Sequence, residues 1–305
     1  MGIINEETCW IFLLPCASEP DLRHIYDIAY GVYALEQSGI LSSQIKLFID
    51  GTDREHINGI IRNASDERYE IETVSYLIDF LEQIQCKNIV LFVSGHGGIS
   101  GLNVNAKLSP YNLINLFKNI KDLETVIMYL GQCYAGVFNF MPVSGKTCMT
   151  TGNTIEPEII IIGATNLFMS ISTTMTAQFK HEVKSWCANI FLFFLFQWIM
   201  EPIDVDGDEK FTVIDSFKYA GATTNNYLIE CKKSAYINPL ISITKIKSLD
   251  QDIEKAIASG ESSSKEKLII EKEALKKEYE QQLSIQFNHQ EPWILNAIPA
   301  QKIEF

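Results

Sequence analysis

Five short runs of this chain are apolar almost throughout: Thr8 to Leu14, Ile45 to Ile49, Ile89 to Val93, Thr125 to Leu130 and Ile159 to Ile162. A strand with one wet face alternates apolar and polar residues, whereas a strand hidden on both faces does not. These runs therefore point to a parallel sheet covered by helices. Helical spacing between them agrees. Leu22, Ile25, Ile28, Val32 and Leu35 share one face as far as Gly39, and Ile71, Val74, Ile78 and Leu81 form a second stripe. Ser109-Pro110 reads as the cap and first turn of a further helix carrying Leu113, Phe117 and Ile120. The predicted architecture is an α/β, three-layer α/β/α sandwich with a mostly parallel sheet, in which ligands bind outside the carboxyl ends of the strands.

The later part is less regular. A buried helix is predicted near 183–200, followed by an acidic loop at 204–215 and a helix carrying Val213, Phe217 and Ala220. A further apolar stretch, broken by polar residues, lies near Pro239 to Ile246. The run Cys187 to Met200 has 14 residues, short of the roughly 20 that span a bilayer, so a core helix and no membrane span are expected. Gly260-Glu261-Ser262-Ser263-Ser264 reads as a loop before a charged helix with Leu268, Leu275, Tyr279 and Leu283 on one stripe. The expected division is a main domain over 1–250 and a C-terminal helical extension over 251–305 packing on it, with 263–285 also able to meet a helical partner.

Charge narrows the functions. Asp and Glu outnumber Lys and Arg by 38 to 25, a formal net charge of −13, and the longest basic runs are the pairs Lys232-Lys233 and Lys276-Lys277. Nucleic acid is therefore not an expected partner, because binding it needs clustered positive charge. The acidic start, Met1-Gly2-Ile3-Ile4-Asn5-Glu6-Glu7, carries no targeting signal, so a cytoplasmic location is expected, with export to a host cell left open. The seven cysteines, at 9, 16, 86, 133, 148, 187 and 231, are odd in number and form no C-x-x-C pair. Most read as small buried hydrophobes rather than a disulfide or zinc framework.

Cys133 is the exception. It follows the strand at 125–130 in Gly131-Gln132-Cys133, and His96 follows the strand at 89–93 in Ser94-Gly95-His96-Gly97-Gly98. If the two strands are parallel neighbours, thiol and imidazole emerge at one sheet edge, as a nucleophile and its general base require. The glycines let backbone approach a substrate, and the N–H groups of Gly97 and Cys133 are candidates for an oxyanion hole. Each residue alone is unremarkable; the pair, each after an apolar strand and in a glycine turn, is the signal.

Ser94-Gly95-His96-Gly97 and Gly131-Gln132-Cys133-Tyr134-Ala135-Gly136 resemble the corresponding blocks of clan CD cysteine peptidases, the group of caspases, metacaspases, legumains and their bacterial relatives, over roughly residues 8–230. The resemblance implies a caspase-like fold and thiol-dependent cleavage of peptide bonds in a protein or peptide substrate. Asp21-Leu22-Arg23-His24-Ile25-Tyr26-Asp27 is similar to the legumain segment after the first strand. That match gives Asp21 the role of orienting His96, with Asp where the family has Asn, and Arg23 a place in the primary specificity pocket. Ala164-Thr165-Asn166 and Ser170 resemble the pocket strand, so Arg23, Gln132 and Ser170 are the implied substrate-binding residues. Arg23 with Ser170 would suit an acidic or amide side chain before the scissile bond, since Arg binds carboxylates bidentately.

Asp204-Val205-Asp206-Gly207-Asp208-Glu209 through Asp215 has the spacing of a calcium loop, with Asp204, Asp206, Asp208 and Asp215 as ligands. Glu209 stands where such loops use Gly with positive φ. No cofactor is needed for thiol hydrolysis; calcium is the one candidate. Two alternatives share the site: a transpeptidase or amidase using the same dyad, and a non-catalytic interaction protein with the same fold.

Overall fold

The computed structural model describes residues 2–102, 108–147, 149, 154–260 and 262–305. In chain order the first elements are β1 (Thr8–Leu14), α1 (Leu22–Gln37), β2 (Ile45–Ile49), α2 (Arg54–Ala64), β3 (Ile71–Glu72), α3 (Leu77–Gln83) and β4 (Asn88–Val93). The small strands β5 (Gly97–Gly98) and β6 (Gly101–Leu102) form a hairpin, before α4 (Pro110–Lys118) and β7 (Thr125–Leu130). Next come β8 (Lys146–Thr147), β9 (Thr154–Glu156), β10 (Glu158–Gly163), β11 (Ser172–Gln178), β12 (Val183–Asn189) and α5 (Ile190–Met200). The chain closes with α6 (Val213–Ser259), α7 (Ser262–Phe287), β13 (Trp293–Leu295) and α8 (Ala297–Ala300).

The protein is mixed α/β. Its seven-stranded sheet has the order β13-β10-β7-β4-β1-β2-β3 and is parallel except at β13, which runs antiparallel to β10. All five apolar runs are strands of this sheet. Their inward alternation splits the core between two faces. On one, Phe12, Phe92 and Tyr129 stack side by side, with centroids 5.0 and 5.3 Å apart, beneath Phe196 of α5. On the other, Ile11, Leu13, Leu91 and Met128 meet Leu77 and Leu81 of α3 and Leu113 and Phe117 of α4. Ser109 caps α4 as predicted, its hydroxyl accepting from the Asn112 N–H at 3.4 Å.

Several expectations are corrected. The stripe Ile71, Val74, Ile78 and Leu81 is not one helix: β3 takes Ile71, and α3 begins only at Leu77. The helix between β2 and β3 is α2, capped by Asp53, which accepts from the His56 N–H at 3.1 Å. The segment 183–189 is strand, paired with β11, and the helix starts at Ile190 after the Asn189 cap. The stretch at 239–246 lies inside α6, which carries Pro239 without ending there. Among the cysteines, Cys9 is buried, Cys187 is exposed, and Cys16, Cys86, Cys133 and Cys231 are intermediate; Cys148 lies outside the described residues.

The expected boundary at 251 falls within α6. The compact units are 1–224 with 290–305, and 225–289. Residues 290–305 are not a helical extension, because β13 completes the sheet. The second unit holds the rest of α6 and α7, and Lys272 pairs with Asp250 across them.

The acidic loop has the conformation its sequence requires, and that gives a stability prediction. Glu209 has φ +64°, and the Asp204 carboxylate accepts from the N–H groups of Gly207 and Glu209. A left-handed L-residue costs roughly 1–2 kcal/mol, partly offset by the greater unfolded-state freedom of glycine. Glu209→Gly should therefore stabilise by about 0.5–1 kcal/mol, read as a raised denaturant midpoint at unchanged m. A lowered midpoint would mean that the Glu209 side chain contributes more than its strain costs.

Candidate active site

Strands β4 and β7 are parallel neighbours, with Val93 opposite Leu130. His96 and Cys133 each follow their strand's last residue by three positions, so both leave the sheet at its carboxyl edge. Gly97 lies directly against the second turn: a Cβ there would collide with the Cys133 carbonyl oxygen and the Gln132 side chain. Glycine at 97 is thus what allows the two turns to touch.

The thiol is held by its neighbours' backbone. Tyr134 adopts φ +55° and donates its N–H to the Phe168 carbonyl at 2.8 Å, and the Gly136 N–H reaches the Asn166 carbonyl at 3.2 Å. These bonds bring Ser170 beside Cys133, where its backbone N–H donates to Cys133 Sγ at 3.3 Å. An N–H aimed at sulfur is oriented to stabilise negative charge there. Burial pushes Cys9 up to about 12 and Cys86 up to about 11, and burial also raises Cys16, Cys187 and Cys231.

Across the edge, His96 Nε2 lies 3.2 Å from Asp21 Oδ2, both side chains 49% exposed. Asp21 occupies the N-cap position of α1, yet its carboxylate makes no cap bond. It is turned to His96 and to Arg23, whose Nε is 3.3 Å away. Burial is the largest single influence on this carboxyl and opposes its charge. The Arg23 hydrogen bond and the charges of His96, Arg23 and His24 outweigh it, so Asp21 titrates below the usual range. Asp21 thus engages Nε2 of the His96 ring rather than Nδ1.

Beneath them lies a buried layer that no local sequence pattern announces. His24, 5% exposed, stands edge-on to His96 with ring centroids 5.1 Å apart. Its Nδ1 is 3.2 Å from Ser94 Oγ, which donates to Asp27 Oδ2 at 3.3 Å. Asp27 also accepts from Trp186 Nε1 at 2.8 Å and the Asn189 N–H at 3.2 Å. Asn189 in turn donates to the Gly131 carbonyl at 2.6 Å and to Ser170 Oγ at 2.9 Å. One buried carboxylate thus links α1, β12 and the turn after β4, and Asn189 carries the link on to the turn after β7.

The specificity residues sit differently from expectation. The Ser170 hydroxyl faces Asn189, and it is Ser172 that accepts from Arg23 Nη1, at 3.0 Å. Gln132 is 1% exposed, and its amide has no hydrogen-bond partner among the described residues, so in this conformation it lies under the site rather than against a substrate. In the acidic loop, Asp204, Asp206 and Asp208 bring ligand atoms within 4.8 Å of one another, but Asp215 is not among them. Asp215 is buried and turned inward, accepting from the Val205 N–H at 3.0 Å and the Thr212 hydroxyl at 2.6 Å. Lys218 occupies Asp206 at 2.7 Å. No helix among the described residues is long and apolar enough to cross a membrane. No protein-family model matches this chain, and no curated protein matches it either.

Proposed function

We propose that this protein is a cysteine endopeptidase of caspase-like, three-layer α/β/α architecture. The observation that carries the reading is the emergence of His96 and Cys133 from adjacent parallel strands at one carboxyl edge, with Gly97 against the Cys133 backbone. Cys133 Sγ attacks the scissile carbonyl, and the N–H groups of Gly97 and Cys133 receive the developing oxyanion. His96 takes the thiol proton and delivers it to the leaving amine. Water then enters, His96 removes its proton, and attack on the thioester releases the acid and restores the thiol. Asp21 fixes the imidazole. None of these steps needs a cofactor.

Arg23 is the residue assigned to select an acidic or amide side chain, with Ser172 holding its guanidinium. A peptide library varied before the scissile bond tests the assignment, run with calcium and with a chelator to test the Asp204, Asp206 and Asp208 group. Arg23→Ala should lower kcat/KM for acidic substrates about 10–100-fold, the worth of a charge-assisted bond, and change neutral ones little. A uniform loss across the library would remove Arg23 from the pocket. Mass analysis of products separates hydrolysis from transpeptidation, since a thioester passed to an amine gives a ligated peptide. Absence of any cleavage, together with failure of Cys133 to react with an electrophile, would favour a non-catalytic interaction protein.

A further inference from the structure

Proton transfer does not use His24, although its geometry is specific. Ser94 Oγ spends its single proton on Asp27, so toward His24 it is an acceptor, and His24 Nδ1 must carry the hydrogen between them. The Asp27 carboxylate, 3.8 Å from the same nitrogen, enforces that tautomer. Nε2 is then a bare lone pair. It is buried, has no hydrogen-bond partner among the described residues, and lies 4.0 Å from Asp21 Oδ2. A lone pair facing a carboxylate oxygen is unfavourable, and a proton, a bridging water or a metal ion on Nε2 relieves it.

The neighbours supply the remaining donors. Asp21 Oδ2, His24 Nε2 and the His96 ring bring one ligand atom each to within 4.8 Å of one another. Bonds of about 2.0–2.1 Å around a tetrahedral ion place ligand atoms about 3.4 Å apart. The Asp21–His96 separation of 3.2 Å already matches, and the Asp21–His24 separation of 4.0 Å needs a small contraction. Two imidazoles and a carboxylate suit zinc and its neighbours rather than calcium. The Ser94–Asp27 relay behind His24 is the outer-shell support such a ligand requires. Asp21 and His96 are half exposed, so an ion can enter.

We propose that Asp21, His24 and His96 bind a divalent transition metal of the zinc class with water in the fourth position, and that the bound ion withdraws His96 from proton transfer. The inhibitory half rests on the peptidase reading; the binding half does not. The test measures Zn²⁺ uptake by competition with a chromophoric chelator, beside peptide cleavage, on the full chain. Cys133→Ala serves as the reference for binding, so that uptake by the nucleophile is subtracted. Asp21→Asn and His96→Ala, both at exposed positions, and His24→Gln should each weaken uptake roughly tenfold or more. In the wild type, cleavage should fall with the same midpoint as uptake and return on adding EDTA.

Affinity unchanged in Asp21→Asn and His96→Ala would overturn the site and leave His24 Nε2 to a proton or a bridging water. Cleavage undiminished with the site loaded would overturn the inhibitory role alone. Zinc uptake with the expected variant pattern but no cleavage in metal-free protein would sustain the site and sink the peptidase reading.

Discussion

Replacing Cys133 by alanine should lower peptide cleavage about 10⁴- to 10⁶-fold, because in the proposed mechanism Cys133 is the residue that forms the thioester. His96→Ala should cost a comparable factor, and the double variant little more than either, since nucleophile and base act as a unit. The fold should survive. Cys133 is only partly buried and its side chain contacts backbone groups of Ser170, so the thermal midpoint should move by no more than a surface substitution moves it. Burst kinetics with an activated ester, present in the wild type and absent in Cys133→Ala, would identify the acyl-enzyme. Cleavage retained in the purified Cys133→Ala protein would sink the mechanism outright.

The largest effect on stability is expected at Asp27. Its carboxylate is buried and accepts from Trp186 and Asn189 of β12 and from Ser94 after β4. Asp27→Ala would strand three buried donors, at a cost of about 3–5 kcal/mol, readable as a fall in the denaturant midpoint. Asp27→Asn keeps an acceptor oxygen and should cost less, though its NH₂ then faces donors. Both should also weaken cleavage, because Ser94 and Asn189 lose their anchor and the His24 and Ser170 layers loosen with them. An Asp27→Ala midpoint within 1 kcal/mol of wild type would mean that water replaces the carboxylate at this site.

The central strands were legible because burial on both faces leaves a continuous apolar run, and the carboxyl-edge placement of His96 and Cys133 follows from strand adjacency. What escaped has physical reasons. Strand β11, Ser-Thr-Thr-Met-Thr-Ala-Gln, belongs to an exposed two-stranded ribbon and carries no apolar run. Strand β12 leads without a break into the all-apolar α5, and the boundary signal was Asn189, whose side chain accepts from the Leu192 N–H at 3.0 Å. Helix α2 has its own sequence signals, the Asp53 cap and the stripe Ile57, Ile60, Ile61 and Ala64, but it is short and the stripe at 71–81 competes with it. In α6, Pro239 lacks an N–H and favours a break, yet the helix continues through it. The layer behind the site, Asp27 with Trp186 and Asn189, depends on contacts some 160 residues apart, for which no local pattern exists.

The last strand of the sheet sets a timetable for synthesis. Its pairing joins Ile161 to Leu295 and Gly163 to Trp293, whose indole fits where a Cβ at 163 would stand. On the ribosome, β10 is therefore finished long before its cover exists. At roughly 5–20 residues per second, the intervening 130 residues (293 minus 163) take about 6 to 26 seconds to make. Throughout that interval Ile161, Ile162 and Gly163 lack their β13 partners, and an uncovered strand edge is the kind of surface to which other nascent strands add. The hazard for this protein is thus one of timing: a ribosome stalled anywhere between the two strands holds out an aggregation seed, and a chain missing β13 keeps that seed permanently.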